Sequence, residues 1–569
     1  MLTEWGERLN ADNPLPAYPR PQMRRAGWQS LNGPWEYAIS QGLAEPKRYD
    51  GTIIVPFSPE APLSGVNRRL EPDQSLWYRR RFAAPGGLAG GRVLLHFGAV
   101  DQGARVWVND IEVCRHIGGY LPFSADITDE LVPGENVLRV LVSDRSDTAF
   151  HSRGKQALNP GGIWYSAQSG IWQTVWLECV PSRYIERLTI TPRFDDSAVE
   201  LVVHSADDMD CEVIYGDYQA TIRSNTRAVL KMPPFEPWSP ENPKLYDLRV
   251  NMGKDSVDSY FAMRKFGVGK DEKGLPRLLL NGEPYFHTGV LDQGYWPDGL
   301  YTAPSDEAMV ADIRLMKDMG FNMLRKHIKI EPLRWYYHCD RLGMLVWQDM
   351  VNGGTSYKKL HITLPLVFGN SHRDDDYAYF GRADLRGREE YTRELQETIA
   401  HLYNCPCIAM WVPFNEGWGQ FDAAKAAATI RALDPSRTVD HASGWHDQGA
   451  GDIQSLHVYF RPYRFKPDKR GRAVALTEFG GYAYREEGHC WSEKLYGYKT
   501  LPSKEALLAA YTKLYEEQII PSKEKGLAAT VYTQLSDVEE EVNGFISYDR
   551  RVVKFDQEAV LALNQRLRG

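Results

Sequence analysis

Cysteine is scarce in this 569-residue chain, with seven in all. An odd, thinly spread set excludes a secreted scaffold stapled by disulfides, so a reducing cytoplasm is the expected setting. Only Cys405-Pro-Cys407 brings two together, and no second pair stands at zinc-ligand spacing, so no metal or other cofactor is expected. Positive charge is also in short supply: 67 Lys and Arg face 75 Asp and Glu, a formal net charge of -8. Without a basic field to hold a polyanion, nucleic acid is not an expected partner. The apolar runs are strand-sized, such as Val93-Leu-Leu-His-Phe97, far short of the ~20 residues that cross a bilayer, and no membrane contact is expected. The opening MLTEWGERLN has no basic segment followed by an apolar one, so no signal peptide is expected. Neither G-x-S-x-G nor H-E-x-x-H occurs, which leaves serine-hydrolase and zinc-peptidase chemistry without support.

What the chain has in quantity is aromatic side chains, 12% of the total, including 16 Trp and 31 Tyr. Such richness suits β-architecture and suits proteins that stack rings on sugars. The length calls for several domains. Residues 1–182 read as short strands separated by turns, among them Gln102-Gly-Ala-Arg-Val-Trp-Val-Asn109 and Val137-Leu-Arg-Val-Leu-Val142 after the turn Pro133-Gly-Glu-Asn136. This spacing indicates an N-terminal β jelly-roll sandwich. Residues 183–270 hold further short strands, such as Ile185–Thr191 and Tyr246–Val250, with a Pro-dense connection from Pro233 to Pro240. A small immunoglobulin-like β-sandwich is the economical expectation there.

From residue 271 to 569 the rhythm becomes strand, then helix. Eight strand candidates end near Val290, Arg325, Trp347, Val412, His441, Tyr459, Thr477 and Tyr532, with helical segments after most of them; Ser305-Asp-Glu supplies a cap and early acids for the first. Alternation of this kind makes a parallel sheet, and eight repeats make a closed (β/α)8 TIM barrel. In that fold the chemistry sits at the C-terminal ends of the strands. Two acids meet the rule: Glu416, beyond the fourth strand in Trp411-Val-Pro-Phe-Asn-Glu-Gly-Trp-Gly419, and Glu478, at the end of the seventh. Two carboxylates facing one another across a barrel mouth are what glycosidic-bond cleavage needs, one to protonate the leaving oxygen and one to attack carbon or activate water.

These segments, with several others, resemble glycoside hydrolase family 2, the group of β-galactosidases, β-glucuronidases and β-mannosidases, nearly end to end. Trp28-Gln-Ser-Leu-Asn-Gly-Pro-Trp35 is similar to the family's opening, and Ser169-Gly-Ile-Trp-Gln-Thr-Val175 to its signature near the end of the jelly roll. Leu280-Asn-Gly-Glu-Pro284 resembles the turn into the barrel, Phe321-Asn-Met-Leu-Arg325 the second strand, and Asn415-Glu416 the pair that carries the acid/base. The resemblance implies a retaining exo-glycosidase with Glu416 as acid/base and Glu478 as nucleophile. It further implies Arg325 as a charge partner of Glu478, Tyr459 as a contact of the nucleophile and Asn415 as donor to the sugar 2-hydroxyl. His457 shares a strand face with Tyr459 and reads equally as a ligand or as a packed core histidine. Asp292 and Asp349, at the ends of the first and third strands, are candidate acceptors for sugar hydroxyls. Trp296, Trp347, Trp411 and Trp418 are candidate stacking surfaces, of which at least two are expected only to fill the barrel.

Departures from the family bear on the sugar. The magnesium ligands of the large β-galactosidases have no counterpart in Trp347-Gln-Asp-Met-Val-Asn352, and the barrel has no Asn-x-Lys of the kind that pairs with a uronate in the glucuronidases. A β-galactosidase-type activity is the first expectation, with β-mannoside, β-galactofuranoside, arabinoside or β-glucuronide as alternatives under the same mechanism, and a carbohydrate-binding protein without catalysis as a third reading. The partner implied is an oligosaccharide or glycoside, and a homo-oligomer is open. The long connection 352–385, with Ser371-His-Arg-Asp-Asp-Asp376, is expected to shape the leaving-group side.

Overall fold

The structure, a computed structural model, describes residues 1–86, 90–232, 234–357 and 371–568. Pro233, which opens the Pro-dense connection, and residues 358–370 of the long connection lie outside the described residues.

The chain adopts the expected three-part architecture. The first part is a sandwich of a six-stranded sheet centred on Gln74–Ala83 and Glu135–Ser143 and a four-stranded sheet containing Val175–Val180 and Arg92–Phe97. Alternation drives the packing: in Gly103–Val108, Ala104, Val106 and Val108 are buried while Arg105 and Trp107 lie on the other face. Inward residues of both sheets, among them Trp35, Tyr78, Leu95, Val140 and Leu177, form one core. The second part pairs a three-stranded and a four-stranded antiparallel sheet over its own core of Ile190, Leu201, Val213 and Val250.

Strands Phe266–Lys270 and Pro276–Leu280 then lead into the barrel. Its strands are β1 (His287–Asp292), β2 (Met323–Lys326), β3 (Leu345–Asp349), β4 (Ile408–Val412), β5 (Thr438–Val439), β6 (Ile453–Val458), β7 (Ala473–Gly480) and β8 (Leu527–Thr533). They pair in parallel in the order 5-4-3-2-1-8-7-6. The seam between β5 and β6 is joined by the Asp452 amide donating to the Val439 carbonyl at 2.8 Å. Strands covered on both faces need apolar residues throughout, and β3, β4, β7 and β8 are buried at every position. The first barrel helix, Asp306–Asp318, starts where the sequence placed it: Ser305 accepts from the Ala308 amide, and Asp306 and Glu307 occupy the first turn. Among the described residues, no helix is long and apolar enough to cross a membrane. All seven cysteines are free, with Cys405 and Cys407 buried at the foot of β4.

The first part does more than flank the barrel. Ser152 bridges to Gly353, just beyond β3, and the Arg153 and Gly154 amides both donate to the Asn352 carbonyl at 3.0 Å. Gly154 has φ +64°, and a Cβ on it would lie 2.9 Å from the Ile328 carbonyl oxygen, so only glycine lets this loop seat against the exit of β2.

Candidate active site

Glu416 and Glu478 come together at the C-terminal mouth of the barrel. One carboxylate oxygen of each and a ring nitrogen of His457 all lie within 4.8 Å of one another. His457 Nδ1 stands between them, 2.7 Å from Glu416 Oε1 and 3.4 Å from Glu478 Oε2, while its Nε2 is 3.1 Å from the Ser443 hydroxyl. A Cβ on Gly444 would lie 2.7 Å from His457 Nδ1, so the chain passes directly over the ring.

The two acids are held differently. Glu478 sits within β7, and its oxygens are taken up separately: Oε1 accepts from Arg325 Nη1 at 3.2 Å and Oε2 from the Tyr459 hydroxyl at 2.5 Å. Tyr459 is in turn 2.9 Å from Thr533 Oγ1 and stacked on Tyr498 at 3.6 Å between ring centroids. Glu416 sits in the loop after β4 with φ 51°, a left-handed conformation uncommon outside glycine. Its amide is fixed on the Ser443 carbonyl at 2.9 Å, and the Trp418 amide returns to the Asn415 carbonyl at 2.9 Å. The surrounding loop therefore over-determines that conformation, as such backbones require.

Arg325 organises the floor. All five of its N–H donors are used: Nε and Nη2 on the two oxygens of Asp349 at 3.0 Å each, Nη2 also on Asn415 Oδ1 at 2.8 Å, and Nη1 on the Thr477 carbonyl and Glu478, each at 3.2 Å. One side chain thus ties β2, β3, β7 and the β4 loop. Because Arg325 takes the Asn415 oxygen, the Asn415 Nδ2 donor is left buried without a partner. A buried donor in that state has a strong need for an acceptor.

Burial pushes the Glu416 carboxyl up to about 7, with the Lys155 and Arg325 charges opposing and Glu541 reinforcing the rise. Burial also raises Glu478, and the Glu416 charge raises it further, while His457, Arg325 and Tyr459 pull it down. His457 is pushed down to about 4 by burial, so the ring is neutral near pH 7.

The other expected site residues divide. Asp349 belongs to the site, but as the support of Arg325 and of His327, whose Nδ1 lies 2.8 Å from Asp349 Oδ2. Trp418 is buried beside it, 5.0 Å from Trp164 and 6.4 Å from His327 between centroids, with its Nε1 lacking a partner. Two others are engaged inside the protein. Asp292 Oδ2 accepts from Lys326 Nζ at 2.6 Å and Oδ1 from the Gly294 amide at 2.9 Å. Trp347 is fully buried and its Nε1 donates to His287 Nδ1 at 2.9 Å, toward the start of β1, so it fills the barrel below the site. Trp411 likewise donates outward to Asp434 at 2.9 Å, and Trp296 packs under Arg550 and edge-on to Trp5.

Sequence reasoning passed over His327, Ser443 and the contribution of the first part. His327 follows Arg325 by two and shares its strand direction, the same periodicity that picked out His457. Trp164, Tyr165 and Lys155 carry no such signal, because nothing in the barrel's sequence tells which loop of another domain will reach its mouth. The cluster of Glu416, His457 and Glu478 has the spacing of a metal-ligand set. A cation there would occupy the oxygen lone pairs that acid/base and nucleophilic chemistry use, so the set fits a paired-acid centre better.

A paired-acid centre at the mouth of a (β/α)8 barrel, preceded by two β-sandwiches, defines a glycoside hydrolase architecture. The chain belongs to glycoside hydrolase family 2: its TIM barrel domain model matches residues 276–490, its sugar binding domain model residues 47–181, and a further family 2 model residues 183–267. Similar proteins include the β-galactosidase of Leuconostoc mesenteroides, 29% identical over 63% of this chain and 34% of that protein. The human β-glucuronidase is 24% identical over 68% of this chain and 63% of its own length. The chain therefore spans between about a third and two thirds of these relatives. Among solved structures, the Dictyoglomus thermophilum β-D-glucuronidase superposes with a TM-score of 0.74 at 18% identity, covering 97% of this chain and 98% of that one. A galacturonate-bound β-galacturonidase of Eisenbergiella tayi gives 0.71 at 20% identity, covering 96% and 99%. At such identities the likeness is one of fold.

Proposed function

We propose that this chain hydrolyses terminal glycosides with retention of anomeric configuration, through a covalent glycosyl-enzyme on Glu478. The observation that carries the reading is the spacing of the acids, whose facing oxygens lie within 4.8 Å. Retaining pairs stand ~5–5.5 Å apart and inverting pairs ~6.5–9.5 Å, because only the latter must admit a water between them. Glu478 attacks the anomeric carbon while Glu416 gives its proton to the departing oxygen; Glu416, now a base, then takes a proton from the water that displaces Glu478. Arg325 and Tyr459 stabilise the Glu478 carboxylate, and Asn415 Nδ2 is the donor for the sugar 2-hydroxyl. A β-galactoside is the first sugar proposed, and a panel of aryl β-galactosides, glucosides, mannosides, glucuronides and arabinosides decides among them. Proton NMR of the first product from a turned-over aryl β-glycoside tests the mechanism: a β-anomer that later mutarotates is expected, and an α-anomer formed first overturns retention.

A further inference from the structure

Three lysines and an arginine are buried in and below the barrel mouth, and three of the four have carboxylate acceptors. Arg325 uses every donor, Lys326 Nζ serves Asp292 and Glu331, and Lys329 Nζ serves Glu331 and the Gly294 and Tyr301 carbonyls. Lys155 is the exception. It is 6% exposed, and its ammonium makes no hydrogen bond and no ion pair within 4.0 Å to any described residue. Its neighbours are ring faces, Tyr165 at 5.3 Å and Trp418 at 5.6 Å. An ammonium held among ring faces with no protein acceptor is available to an acceptor that a ligand brings.

Its place in the fold indicates which ligand. The loop carrying Lys155 is clasped to the barrel mouth through Ser152, Arg153 and Gly154, between the exits of β2 and β3. The Lys155 charge is felt at Glu416, at His457 and, more than any other charge, at His327, which stands behind Asp349 on the pocket floor. The ammonium lies over the ring of Trp418, two residues beyond Glu416, where a sugar held between the two acids would reach it. Trp418 offers a second unused donor, Nε1, beside it.

We propose that Lys155, delivered by the first domain, is a specificity-determining residue that binds an anionic group on the glycone. The proposal rests on the glycosidase reading above and adds to it the chemical class of the sugar. A carboxylate at C5 and a phosphate on O6 share the needed chemistry, and both are compatible with a galacto-configured ring.

The test compares 4-nitrophenyl β-D-galactopyranoside with the corresponding galacturonide and 6-phosphogalactoside, and the glucopyranoside with the glucuronide. An anionic substrate is expected to exceed its neutral parent in kcat/KM by at least about 10-fold. Lys155→Met should lower that anionic-to-neutral ratio by about 10- to 100-fold, the worth of a hydrogen bond to a charged group, and Lys155→Arg should keep most of it. The uronide and phosphate arms distinguish the two sources of charge. Preference for the neutral parents in the unaltered protein, or an unchanged ratio in Lys155→Met, overturns the proposal while leaving the glycosidase reading intact. If no glycoside is turned over, that reading fails separately. Calorimetry with galacturonate, glucuronate, galactose 6-phosphate and galactose then decides the lysine's role: anion binding lost in Lys155→Met supports it, and equal affinity for galactose overturns it.

Discussion

Glu478 and Glu416 meet at one barrel mouth, and both are buried, yet their surroundings differ in kind. Around Glu478 the protein has arranged a guanidinium and a phenol, each donating to a defined oxygen. Around Glu416 there is one imidazole contact, a left-handed backbone and otherwise desolvation. Donors favour the charged form of a carboxyl and burial the neutral form. Under the proposed mechanism the difference separates the group that attacks as an anion from the one that arrives with a proton, as paired carboxylates of unlike environment do.

The sharpest way to break this comparison is to remove each acid in turn. Glu478→Ala should lower kcat on every glycoside by roughly 10⁴-fold or more, since no other nucleophile is placed at the anomeric carbon. Azide should restore turnover and give a glycosyl azide of inverted configuration, read by NMR. Retention of near-normal activity would assign the nucleophile elsewhere. Glu416→Ala should be less uniform, with losses of about 10²–10⁴ on poor leaving groups and much smaller ones on activated aryl glycosides, which leave without a proton.

The pH profile sharpens the contrast. In the proposed mechanism Glu416 works protonated, and burial pushes it up to about 7, so kcat/KM should fall as pH rises through that region. In the proposed mechanism Glu478 works ionised, and burial raises it from its ordinary value, so activity should also fall as pH drops into the acid range. Because the two acids interact, both limbs belong to the pair. Loss of the basic limb in Glu416→Ala is the expected signature, and its persistence there would give the proton to another group.

The smallest of these effects concerns the donors. Tyr459→Phe removes the hydroxyl on Glu478 Oε2 and keeps the ring stacked on Tyr498. A hydrogen bond to a charged acceptor contributes about 1.5–3 kcal/mol, so kcat should fall by about 10- to 100-fold with the melting temperature little changed. A fall in melting temperature without a change in kcat would make Tyr459 a packing residue only.

Much of this site was legible in advance for a definite reason. Strand ends of a parallel barrel converge, so Arg325, Asn415, Glu416, Tyr459 and Glu478 could be placed at one mouth from their positions beyond apolar runs. Asp292 and Trp347 obey the same rule, but the strand end says which layer a residue occupies and not which partner it meets. Lys326 took Asp292, and His287 took the Trp347 indole. Asp349 was read as a sugar acceptor and is instead the bidentate support of Arg325.

The sequence by itself determined the order of the three parts, the eight-fold strand and helix alternation and the place of Glu416 and Glu478 at strand ends, since hydrophobic period and turn chemistry are local properties of the chain. Tertiary structure alone decided that His457 bridges both carboxylates, that Arg325 leaves the Asn415 amide free to donate, and that Lys155 lies at the mouth of a barrel beginning more than a hundred residues further on. Such contacts join elements remote in the chain. Their geometry follows from how the sandwich seats on the barrel, with Gly154 against the Ile328 carbonyl, and no residue's own neighbours along the sequence encode it.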